Sequence, residues 1–269
     1  MTPAKLTTSI DFLAQLSPSY FDENIPPQQI QEVPDIPFNT ESMFLKPTTE
    51  SEVIRTIQNL KNKSGGGDQI HAFTIKLAAP YISSILADII NSTFTQGICP
   101  KQFQTADICP VYKSGSMKQV NNYRPIALIS NLAKIFEKIT FTRIYTFAMK
   151  HELINPRQFG FLKKKGTEDA IALLSKFIYE NLNNSDPTVV TFLDYSKAFD
   201  TVDHNILISK LHNMGIRGVC LSLIQSYLQN RKQTVKVNGV KTHPIESKFH
   251  RDLFWDLYFS YYILMIYST

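Results

Sequence analysis

A chain of 269 residues with 43% hydrophobic, 12% aromatic and 19% charged side chains has enough apolar mass for a core, which excludes wholesale disorder. Three widely spaced cysteines, Cys99, Cys109 and Cys220, supply neither a disulfide framework nor a paired zinc pattern and point to a reducing compartment. The net charge of +5 is unevenly spread: residues 1–50 hold two basic and seven acidic residues, whereas 101–165 hold twelve basic and three acidic, a surface suited to phosphates or simply solvated lysines on helix faces.

In chain order, residues 1–47 read as an extended leader, because IPPQQIQEVPDIP places four prolines in thirteen residues. The start shows no basic-then-apolar signal region, and no apolar run reaches the roughly 18 residues of a membrane span. Thr49 and Glu52 have capping-box spacing before Val53, Ile54, Ile57 and Leu60, which share a helical face. Gly65, Gly66 and Gly67 end that helix. A second helix is expected over about 78–95, closed by Gly97 and Pro100. Residues 106–113 read as a short strand, 114–125 as a polar loop and 127–150 as a helix. A basic Pro/Gly loop over 155–166 precedes a helix opened by Thr167, with Glu168 and Asp169 at its positive end. The run TVVTFL, residues 188–193, reads as a strand buried on both faces. Helices near 204–213 and 217–229 follow, and then a hairpin whose turn is Asn238-Gly239.

The sharpest chemical feature is TVVTFLDYSKAFDTVDH, residues 188–204. A strand that ends in Asp194 could hold a hard cation beside a substrate phosphate, or Asp194 could only cap a turn. Asp200 and Asp203 suit a structural role on the following helix. The six histidines show no ligand spacing, so no zinc is expected.

The blocks KSGGGDQI (63–70), GICPKQF (97–103), VYKSG (111–115), NYRPIALISNLAKIFEKI (122–139), NPRQFGFLKKKGTEDAI (155–171) and FLDYSKAFDTVDH (192–204) occur in this order. Together they closely resemble the reverse transcriptases of non-LTR retrotransposons, the jockey-type elements above all, over about residues 48–248. The resemblance implies an incomplete α/β polymerase fold of palm and fingers, with an antiparallel palm sheet and packed helices. It divides the chain into an N-terminal extension with fingers (48–187) and a partial palm (188–247). It makes Asp194 the first catalytic carboxylate, holding Mg²⁺, and Phe199 the aromatic beside the sugar that discriminates against a 2′-hydroxyl. Lys113 and Arg124 are then the contacts to the phosphates of an incoming deoxynucleoside triphosphate. Lys163, Lys164 and Lys165 become part of the stretch that touches the nucleic acid, although Phe161-Leu162 stands where the family commonly has Phe-Arg. An RNA template and a DNA primer follow from the same resemblance, whereas an intracellular location, nucleus or cytoplasm and away from membranes, is expected from the lack of a signal region or membrane span.

The pattern then breaks. The family's remaining metal-binding carboxylates come from an aromatic-x-Asp-Asp turn, and the 269 residues contain no Asp-Asp pair. A Pro-Gln-Gly block expected just after residue 247 is also missing. In its place stands KFHRDLFWDLYFSYYILMIYST (248–269), in which seven of the last sixteen residues are aromatic. Permitted codons for residues 248–266, read after dropping two bases, spell VPQGSILGPLFFLLYIND, the missing block. Residues 248–269 are therefore expected to be a frameshifted tail, and the chain an inactive polymerase fragment. The alternatives are a genuine apolar tail, and a remnant that binds RNA or RNA–DNA without catalysis.

Overall fold

The computed structural model describes residues 38–62, 65–119, 122–193, 203–237, 240–241 and 244–246. Six helices and a mixed sheet make an α/β architecture. The first helix, α1 (Glu50–Gln58), starts where the sequence places it: Thr49 is the N-cap and its hydroxyl accepts from the Glu52 backbone N–H at 3.3 Å. Val53 and Ile57 are fully buried. The helix stops at Gln58, well before the glycines, and Asn59 caps it.

The next helix, α2 (Ala72–Gln96), begins earlier than expected and runs straight through Pro80. A helical proline strands the carbonyl four residues back. That carbonyl belongs to Lys76, and the Gln58 side-chain amide donates to it at 3.5 Å. Gly97 ends α2 in the left-handed region at φ 68°, as its place after the last turn requires. By length and composition α2 could cross a membrane, which a search for uninterrupted apolar runs does not anticipate. Its buried side, including Ile75, Leu86, Ile90 and Phe94, belongs to the protein core.

A short 3-10 turn (Lys101–Gln104) leads into β1 (Thr105–Tyr112), and β2 (Tyr123–Ile129) returns antiparallel to it. This corrects the sequence reading, which puts 127–129 in a helix. The apolar run IALI suits either state, and the ladder to β1 decides for strand. Pro125 is tolerated because β2 is the sheet edge. Helix α3 (Asn131–Lys150) follows immediately, capped by the Ser130 hydroxyl, which accepts from Leu132 N at 3.1 Å. Then come α4 (Thr167–Asn183), α5 (His204–Asn213) and α6 (Val219–Leu228). Asp203 has the structural role expected of it: its carboxylate caps α5 by accepting from Asn205 N and Ile206 N.

The last strands are β3 (Lys232–Val237), β4 (Val240–Lys241) and β5 (Ile245–Glu246). The sheet runs β2-β1-β3-β4, with β5 also on β3. Every pairing is antiparallel except β1 with β3, which is parallel, so the sheet is mixed rather than purely antiparallel. The pairing of Val237 with Val240 leaves two residues for the turn. The expected turn residues, Asn238 and Gly239, lie outside the described residues.

One core joins α1, α2, α3, α5 and α6, through Ile57, Ile90, Phe136, Ile139, Leu207, Leu211 and Leu223. Helix α4 contributes no buried residue. The strand expected at 188–193 is not formed. No described strand pairs with it, and Val189 (90% exposed), Phe192 (83%) and Leu193 (79%) face water. A strand needs a ladder partner for its N–H and C=O groups, and β-branched composition alone cannot supply one.

Candidate nucleic-acid and nucleotide site

The β1–β2 hairpin carries the two cations that the sequence assigns to nucleotide phosphates. Val111 pairs with Arg124, and the ladder continues beyond β1 with Lys113 N donating to Asn122 O at 2.8 Å. Residues 111 and 113 lie on one face of an extended chain, and cross-strand partners share a face. Lys113 and Arg124 therefore stand on the same face of the hairpin, diagonally across it. The opposite face carries Tyr112 and Tyr123, whose rings meet edge-on at 5.7 Å. Each tyrosine hydroxyl then ties down the tip: Tyr112 donates to Gly115 O at 2.6 Å and Tyr123 to Met117 O at 2.9 Å. Asn122 donates to Ser116 O at 2.8 Å. Gly115 sits at φ 92°, and a Cβ there would lie 2.6 Å from the Asn122 amide. Sequence reasoning singled out the two cations and missed the tyrosine pair that stiffens their support. Aromatics flanking the polar loop were the available signal.

The triple-glycine segment, which does not end α1, serves a different purpose. Gly66 N donates to Ile129 O at 3.0 Å, and a Cβ on Gly66 would lie 2.3 Å from the Leu128 carbonyl oxygen. Ser130 Oγ donates to Asp68 Oδ2 at 2.6 Å, and Asn131 Nδ2 to Ile70 O at 2.8 Å. The loop thus locks the base of the hairpin to the start of α3. It leaves a cleft of about 110 Å³ against the sheet, lined by Gly65, Gly66, Asp107, Cys109 and Lys236 among others. That volume is well below the several hundred Å³ of a typical small-molecule pocket.

The basic loop 155–166 follows α3, and its three lysines point to different work. The Lys165 ammonium donates to Pro156 O at 2.8 Å and Gln158 O at 3.3 Å, and lies 5.2 Å from the Phe159 ring centre. It closes its own loop. Lys163 reaches back over the Tyr145 ring of α3, 5.3 Å from its centre. Lys164 is exposed, at φ 62°. Asp194 and Phe199 lie outside the described residues. Among the described residues no group of three His, Cys, Asp or Glu side chains comes together to hold a metal ion.

Behind both surfaces lies a buried polar layer. The Tyr227 hydroxyl donates to Glu137 Oε1, and the Arg231 guanidinium lies 4.3 Å from the Tyr227 ring centre. Burial pushes the neighbouring Cys99 thiol up to about 12; Arg231 opposes that shift and Glu137 adds to it. All three cysteines are free, Cys99 and Cys220 buried and Cys109 half-buried.

A family model for reverse transcriptase (RNA-dependent DNA polymerase) matches residues 111–248, which include all seven of the sequence-assigned site residues. The RNA-directed DNA polymerase from the mobile element jockey of Drosophila melanogaster is 32% identical over 217 residues, 80% of this chain and 24% of that protein. The probable RNA-directed DNA polymerase from transposon BS of the same fly is 29% identical over 205 residues, 76% of this chain and 22% of that protein. A Pol polyprotein from a type-1 R2 element of Popillia japonica is 24% identical over 201 residues, 74% of this chain and 27% of that one. The chain spans about a quarter of the length of these curated relatives.

Proposed function

The chain belongs to the reverse transcriptase family, as a fragment akin to the non-LTR retrotransposon enzymes, and we propose that it supplies the nucleotide- and template-facing surface of an RNA-directed DNA polymerase without itself polymerising. The observation that carries this reading is the hairpin register, which sets Lys113 and Arg124 on one stiffened face. A triphosphate spreads charge over several oxygens. Two cations held on one face can bind those oxygens and steady the charge that develops as pyrophosphate leaves. Loop 155–166, with Lys163 and Lys164 exposed, would follow the template backbone, while Lys165 would keep the loop in shape. Asp194 would hold Mg²⁺, and Phe199 would lie against the sugar.

Two-ion phosphoryl transfer needs carboxylates that bridge ions about 4 Å apart. A lone Asp194 does not meet that requirement, and the 269 residues contain no Asp-Asp pair. The donor set therefore does not fit the family's metal pair, and no step is assigned to this chain through it. Residues 248–269 are proposed to be a frameshifted tail, and the nucleus or cytoplasm the place of action.

Primer extension tests the reading. The purified 269-residue chain, given Mg²⁺, deoxynucleotides and an RNA template with a DNA primer, is expected to add none. A gene whose frame is restored at codon 248 and read to its next stop is expected to extend, with a raised KM for deoxynucleotides after Lys113→Ala or Arg124→Ala. Extension by the 269-residue chain itself would overturn the assignment of inactivity. A second reading, RNA binding without catalysis, is favoured by the net +9 over residues 101–165. Binding that weakens steeply with salt would support it.

A further inference from the structure

Helix α3 presents a flank that the sequence does not mark as a site. Lys138, Phe141 and Tyr145 are spaced three and four residues apart, so they share one helical face. The Phe141 and Tyr145 rings stack at 5.6 Å with 25° between their planes. Loop 155–166 folds back onto this face and sets the Lys163 ammonium over Tyr145. Lys138 is half-buried there. Burial holds its ammonium below the usual lysine range, and the charge of Lys163 lowers it further. Two like charges are thus brought together from separate elements. Neither Lys138 nor Lys163 is ion-paired with a carboxylate among the described residues, unlike Arg143 with Glu52 or Lys176 with Glu180. Holding two cations together with no anion opposes folding. A phosphodiester would reverse the sign of that term. A protein acid in contact would do the same, and none of the described residues provides one.

We infer that Lys138 and Lys163 form a shared seat for one backbone phosphate of a single RNA strand, with the Phe141–Tyr145 pair as its floor. The inference rests on the nucleic-acid reading and adds a residue, Lys138, and a stoichiometry, one phosphate for two lysines. The Tyr145 ring lies beneath the Lys163 ammonium, which an anion would meet from the other side.

The test is fluorescence anisotropy of a labelled, unstructured RNA oligonucleotide with the full 269-residue chain across a salt series. Lys138→Gln is expected to weaken binding about fivefold at 0.1 M salt and to reduce the slope of log K against log salt by about 0.7. Lys163→Gln is expected to do the same. The double variant is expected to lose about 0.7 in slope, not about 1.4, because the two share one phosphate. Lys176→Gln, on α4 and already paired with Glu180, is expected to leave binding unchanged. Removing a desolvated charge should not lower the melting temperature, so a Lys138→Gln variant that melts early overturns the seat in favour of a structural role. Additive slopes, or a Lys138→Gln chain that binds as the parent while Lys164→Gln weakens, overturn the seat and leave the nucleic-acid reading standing. A parent chain that binds no RNA at low salt overturns both.

Discussion

At the scale of single residues, the molecule sorts its cations by what they touch. Arg143 donates to both Glu52 carboxylate oxygens, at 2.7 and 2.6 Å, and to the Lys46 and Pro47 carbonyls, so it ties α3 to the entry of α1. Arg143→Met is expected to cost about 2 kcal/mol at pH 7 in urea denaturation, the size of hydrogen bonds to a charged group. The Arg143 guanidinium, followed by the Thr48 hydroxyl, holds the Glu52 carboxyl below its ordinary value against a smaller upward push from burial. A lowered folded pKa stabilises the fold above the unfolded value, about 4.3, and that stability is lost as pH falls through the folded one. The penalty of Arg143→Met is therefore expected to be constant from pH 7 to 5 and to shrink below about pH 4. Lys165 is tied just as firmly, but to its own loop. Lys165→Met is expected to speed proteolysis within 155–166 while leaving the global melting temperature nearly unchanged. Nothing in the spacing Lys163-Lys164-Lys165 distinguishes these three side chains, because a lysine's work depends on which carbonyl or ring it meets.

At the scale of elements, close approach and unsatisfied faces decide the outcome. The Gly65–Ile70 loop packs backbone on backbone against β2, and Gly66 has no room for a Cβ. Gly66→Ala is expected to destabilise the fold by about 2 kcal/mol or more and to raise amide exchange at Ile129, beside the Leu128 carbonyl that must move. Helix α4 is the opposite case. Asp169 accepts from Gly166 N at 2.7 Å and starts it well, yet Ile171, Phe177 and Leu182 remain exposed. A helix without packing draws little stability from propensity alone. The α4 amides are expected to exchange far faster than those of α3, and Phe177→Ala to change stability by less than about 0.5 kcal/mol. Residues 188–193 share this condition. Their composition reads as strand, but pairing is a property of two segments, and no described strand pairs with this one.

At the scale of the whole molecule, the helical core and the hairpin sheet form a support that carries its basic surface on the outside. Exposed apolar side chains on α4 and over 188–193 are expected to drive self-association at micromolar concentration, read by sedimentation, and to be relieved in a chain whose frame is restored at codon 248. By itself the sequence determined the family, the order of the motifs, most helices and the cap at Thr49, because helical periodicity, capping chemistry and motif order are local properties of neighbouring residues. The lack of an Asp-Asp pair within these 269 residues is equally legible, since it is a matter of composition. Only the tertiary structure decided that IALI is a strand, that TVVTFL is not, that Pro80 sits inside a helix with its stranded carbonyl served by Gln58, and that Lys163 comes to lie over Tyr145 on α3. Each of these turns on a partner distant in sequence, and hydrogen-bond pairing, burial and charge proximity are set by which segments meet, which no local pattern records.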